Sequence, residues 1–131
     1  MAVKGSIPGI PQHIQRYLAC LILTMLFPLL PLALEFLLTG MVSEKSAMLT
    51  ASMYAVGVGV ASRNVLLFVI TIVAGVCYAI AYGAAAQTSG SINDLHLGLA
   101  FFGIAAVFVF HSLERYNRHV VEREPFLDFR D

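Results

Sequence analysis

Apolar side chains run along this chain in four unbroken stretches, about 17–39, 46–62, 65–86 and 95–112, separated by short polar segments. A helix of roughly 20 apolar residues is what crosses a hydrocarbon core about 30 Å thick. The stretches have that length or slightly less. The links between them are too short for neighbouring helices to do anything but reverse direction. The pattern therefore predicts an all-α, four-span antiparallel transmembrane helix bundle. The first stretch exceeds the roughly 7–15 residues of a signal-peptide core, so it is expected to stay in the mature chain.

The stretches differ in ways that predict different roles. Span one carries Pro28 and Pro31 near its centre. Each lacks an N–H and clashes with the preceding turn, so a kink is expected there. In hydrocarbon the freed carbonyls of Thr24 and Phe27 must find other donors. Span two repeats Ala47, Ala51, Ala55 and Gly59 at i, i+4, and span three repeats Gly75, Ala79 and Gly83. Membrane helices associate through close backbone approach across small residues, so both stripes are candidate helix-packing interfaces, within the chain or between chains. Span four is bulkier, with Phe101, Phe102, Phe108 and Phe110. Its helical pattern continues to Pro125. Residues 95–123 as one helix measure about 43 Å, so roughly three turns are expected to project beyond the bilayer. Leu113, Tyr116 and Val120 fall on one face of that extension, with Glu114–Arg118 and Arg118–Glu122 as i, i+4 pairs. With Phe126 and Phe129 of the tail, Leu113, Tyr116 and Val120 form a candidate surface for a cytoplasmic partner.

Composition agrees with the pattern. Hydrophobic residues make up 59 % and charged residues 12 % of the 131 residues, and mean hydropathy is +0.82; an ordinary soluble domain is about 25 % charged. The chain reads as one membrane domain over 1–131: an arm at 1–12, broken up by Pro8, Gly9 and Pro11, the four spans, and the extension and tail at 113–131. Net charge is zero, which gives no case for a nucleic-acid partner. The placement of charge is informative. Lys4, Arg16, Arg63, Arg115, Arg118, Arg123 and Arg130 fall on one side of the predicted topology and only Lys45 on the other, a split of seven to one. Lys and Arg accumulate on the cytoplasmic side. Both termini and the 62–64 turn are therefore expected inside, in a bacterial inner membrane.

Candidate chemistry is sparse. Glu35 is the one ionisable side chain well inside a span, and an intramembrane carboxylate is a candidate ion or proton site. It lies about one turn from the outward end, so an interfacial structural role is the competing reading. His96 and His111 flank span four at opposite faces and cannot share a metal, and His111 and His119 lack a completing ligand set; all are expected to be interfacial polar residues. Cys20 and Cys77 lie at different depths, which argues against a disulfide. The sequence holds no nucleophile elbow, zinc-protease motif or phosphate-binding glycine loop. No catalytic residue, metal or cofactor is expected.

The expected function is thus that of a non-catalytic integral membrane component. It would assemble with itself, or anchor or sense for a soluble cytoplasmic partner, in the manner of membrane effectors or sensors of bacterial defence and immunity systems. The alternative is a small oligomeric ion channel or proton-coupled transporter that uses Glu35.

Overall fold

In the computed structural model, residues 8–87 and 94–124 are described, and among them the backbone forms four helices and no strand. They are α1 (Gln12–Thr39), α2 (Glu44–Val60), α3 (Val65–Gln87) and α4 (Asp94–Val121). Helices α1, α3 and α4 are long and apolar enough to cross a membrane. Helix α2 has 17 residues, about 26 Å of rise, and is the shortest.

Local chemistry sets the helix ends. Helix α1 starts after Pro11, whose carbonyl takes the N–H groups of Ile14 and Gln15 at 3.0 and 3.2 Å. It stops at Gly40, where a φ of 73° is left-handed and suits a residue without a side chain. Ser43 caps α2 by accepting the Ser46 N–H at 3.1 Å. Asn64 does the same for α3, taking the N–H groups of Leu66 and Leu67 at 3.0 and 3.2 Å. Helix α4 ends in a widened π-type turn, Asn117–Val121. Arg123 then turns left-handed at φ 57°, and the Glu124 N–H reaches back to the Arg118 carbonyl at 3.0 Å.

At Pro28 and Pro31 the helix type changes. The backbone widens to a π-helix over Leu21–Leu26 and tightens to a 3₁₀ turn over Phe27–Leu29 before resuming α geometry. The Phe27 N–H pairs with the Ile22 carbonyl, and the Leu30 N–H takes the Phe27 carbonyl. The latter is the acceptor that Pro31 cannot serve, so the 3₁₀ turn satisfies it inside the helix.

Helix α2 occupies the middle and packs against both α3 and α4. Its buried residues are mostly small: Ala47, Ala51, Ser52, Ala55 and Gly59, with Met48, Tyr54 and Val58 filling between them. Large apolar side chains point outward instead, as with Leu38 at 83 % and Phe102 at 71 % exposure. A water-soluble bundle would bury these; a bundle in lipid has no reason to, since lipid is as apolar as leucine.

At the end of α4 the ion pairing differs from the sequence expectation. Leu113 is exposed at 62 % and Tyr116 at 49 %, and Val120 is half-buried. The buried line is His111, Arg115 and His119. The final turn lies against the start of α1, where the Tyr17 and Tyr116 rings meet edge to face at 5.6 Å. The i, i+4 ion pairs give way to other partners: Arg118 binds Glu124, Glu122 receives the Asn117 amide at 3.2 Å, and Glu114 turns to the 62–64 link. Backbone groups at the neighbouring helix ends need polar partners, and this face of α4 is the one that reaches them. Phe126 and Phe129 lie outside the described residues.

Candidate functional site

Polar side chains collect at the two ends of the bundle. At the 61–64 end, Glu114 of α4 reaches across to the link between α2 and α3. Its carboxylate accepts the N–H groups of Arg63 at 2.7 Å and Asn64 at 3.1 Å. The Ser62 hydroxyl donates to the same carboxylate, 2.9 and 2.8 Å from its two oxygens. Successive N–H groups in a tight turn form a natural anion-binding concavity, and here the chain supplies its own anion. One residue on, Arg115 is 4 % exposed, and its Nη2 donates to the Ala61 carbonyl at 2.9 Å. That places a cation at the C-terminal end of the α2 dipole. Glu114 and Arg115 together tie both sides of the link to α4.

His111 sits one turn before Glu114 and is fully buried. Its Nδ1 lies 3.2 Å from Glu114 Oε2, an ion pair only when the imidazole is protonated, and neither ring nitrogen has an aligned hydrogen-bond partner among the described residues. His119 is also buried, and its Nδ1 lies 3.0 Å from the Glu124 carbonyl oxygen. Both side chains face the inside of the bundle, not its surface. Glu124 completes the cluster by bridging Arg63 and Arg118. Hydrogen bonds from Arg63 first, then Arg118, hold its carboxyl below the usual carboxylate range.

The opposite end holds Glu35. Its Oε1 accepts the Ser43 N–H at 3.2 Å, which joins α1 to the cap of α2. Close by, His96 Nδ1 lies 2.8 Å from Glu44 Oε1, an ion pair when the imidazole is protonated. Glu35 has no salt bridge to Lys, Arg or His among the described residues. It lines a cleft of about 260 Å³ between α1 and α2, together with Pro31, Leu32, Ser46, Leu49 and Thr50.

The small-residue stripes fall in different places. Ala47, Ala51, Ala55 and Gly59 are all buried. A side chain on Gly59 would strike Thr71 of α3, and one on Gly75 would come within 3.1 Å of the Ser52 carbonyl. The Ser52 hydroxyl bonds the Gly75 carbonyl at 2.8 Å. Ala79 is exposed, and Gly83 has open space where a Cβ would be. Sequence reasoning missed a further contact, Gly103 of α4 against the Tyr78 ring, whose hydroxyl donates to the Leu99 carbonyl at 2.6 Å. Cys20 is buried, Cys77 is exposed, and both are free thiols. Among the described residues no group of three His, Cys, Asp or Glu side chains is placed to hold a metal ion.

Sequence reasoning also missed the cluster at the 61–64 end. The signal that pointed to it is the i, i+4 spacing of His111, Arg115 and His119, which puts three polar side chains on one line of α4. No family model, curated protein or solved structure matches the chain.

Proposed function

We propose that this protein is a non-catalytic, four-span membrane component with both termini in the cytoplasm, serving as an anchor or sensor for a cytoplasmic partner and associating with further copies of itself. The observation that carries this reading is the use made of the polar groups. Glu114, Arg115, Glu124 and Glu35 each hold one helix end to another, while large apolar side chains face outward. The polar chemistry serves assembly of the bundle and the apolar surface serves the bilayer.

Helix α2 counts as the fourth span because of what holds its ends. Glu44, in its first turn, meets His96 of α4, and the link after its last turn meets Glu114 of the same helix. It therefore runs the length of α4 between residues 96 and 114, about 27 Å by helical rise. Arg63, Arg115 and Arg118 gather at one end of the bundle, which favours that end as the cytoplasmic one. Within α3, Ala79 and Gly83 remain open and provide the face for a second copy.

The test is topology with extraction. The protein should resist alkaline carbonate, and reporter fusions at Asp131 and Ser89 should report opposite compartments, the first cytoplasmic. Matching compartments, or release by carbonate, would overturn the reading.

A further inference from the structure

We propose that the cleft between α1 and α2 binds the primary ammonium headgroup of a membrane lipid, with Glu35 as its counter-ion. The proposal rests on the membrane reading above. A carboxylate at the edge of hydrocarbon is costly unless a cation accompanies it. Within the described residues Glu35 accepts the Ser43 N–H and hydrogen bonds from the Ser43 and Ser46 side chains, and forms no salt bridge. These donors are all neutral and do not cancel the charge. The missing cation comes from outside the chain.

The cleft's shape selects the kind of cation. Its volume of about 260 Å³ is large beside the roughly 30 Å³ of a water molecule in the liquid. Three of its six lining residues, Pro31, Leu32 and Leu49, are apolar, and the others are Glu35, Ser46 and Thr50. A hydrated metal ion would keep its water against such walls and gain little. A primary ammonium has three N–H donors, and a carboxylate with two hydroxyl oxygens offers three kinds of acceptor for them. The same molecule needs a place for its acyl chains. Phe27 and Leu34 stand exposed on α1 toward the bilayer centre from Glu35, at 64 % and 47 %. The carboxylate meets the head and these side chains meet the tails.

The full chain in mild detergent micelles, titrated with phosphatidylethanolamine or chain-matched phosphatidylglycerol and read by native mass spectrometry, tests this. The wild type should retain the ethanolamine lipid in preference to the glycerol lipid. Glu35→Gln keeps an acceptor oxygen for the Ser43 N–H and should lose that preference, with binding about tenfold weaker, the scale of a charge-assisted bond. Leu49→Phe fills the cleft without altering charge and should also lose binding. Free ethanolamine at equal concentration should not compete; competition would assign the site to a soluble amine instead. Equal retention of the two lipids, or unchanged preference in Glu35→Gln, overturns the proposal. In a protein that still resists carbonate extraction, such a failure leaves the membrane reading intact.

Discussion

Glu114 binds three donors in the turn between α2 and α3, so its removal loses the hydrogen bonds that tie this turn to α4. Glu114→Ala is expected to destabilise the fold by about 1 kcal/mol, the net worth of hydrogen bonds at a solvent-reachable site. Glu114→Gln keeps an acceptor oxygen and should cost less. Denaturant titration in micelles measures both, and equal stability of all three proteins would remove Glu114 from the link. Glu124 makes a separate, pH-dependent contribution. Its carboxyl is lowered by Arg63 and Arg118 in the folded state, so the stabilisation is present above the unfolded carboxyl's pKa and is lost as pH falls through the folded value. The melting difference between wild type and Glu124→Gln should therefore close on acidification and shrink with added salt. The sequence did not make these roles legible. Arg118 stands four residues after Glu114 and looks like its partner, yet the turn N–H groups 50 to 51 residues away compete better. Arg118 has another carboxylate within reach, Glu124, whereas the turn N–H groups have no helical carbonyl to bind.

At the scale of helices, the break in regular α geometry at Pro28 and Pro31 and the small face of α2 were legible because each rests on side-chain type alone. Proline removes a donor wherever it stands, and a helix with Ala or Gly every fourth position has a face that admits a neighbour. The course of the α3 face was not legible. Strict i, i+4 spacing drifts about 40° around a helix at each step, so Ala79 and Gly83 rotate away from α2 after Gly75. The packed line alternates steps of four and three instead, through Thr71, Gly75, Tyr78, Tyr82 and Ala85, the seam that keeps two helices in register. This separates two substitutions of equal size. Gly75→Leu should disrupt the α2–α3 pair, at a cost of about 1–3 kcal/mol or more for overpacking, because Val56 and the Ser52 carbonyl occupy the space. A Cβ on Gly83 meets no atom within 4 Å, so Gly83→Leu should cost much less stability than Gly75→Leu while weakening self-association in native mass measurements. If Gly83→Leu unfolds the protein instead, α3 packs differently from the face described.

At the scale of the whole molecule, the ends of the bundle hold the polar contacts and the middle holds the close packing, and this limits how the cytoplasmic tail can be tested. The tail after Pro125 is a candidate partner surface, and removing it looks simple. Glu124, however, is the residue that Arg63 and Arg118 share, and its backbone oxygen lies 3.0 Å from His119 Nδ1. A chain ended after Arg123 therefore loses the tail and also one of the ties between α4 and the 62–64 turn, while those of Glu114 and Arg115 remain. A chain ended after Glu124 loses only the tail. The two truncations should differ in thermal stability near neutral pH, the shorter one melting lower, and the difference should fade in acid as Glu124 is protonated. Both should still insert. If the tail recruits a partner, co-purification should fall in both chains alike, including the one with normal stability. Co-purification that falls only in the shorter chain would place the effect in the 61–64 cluster and not in Phe126 or Phe129.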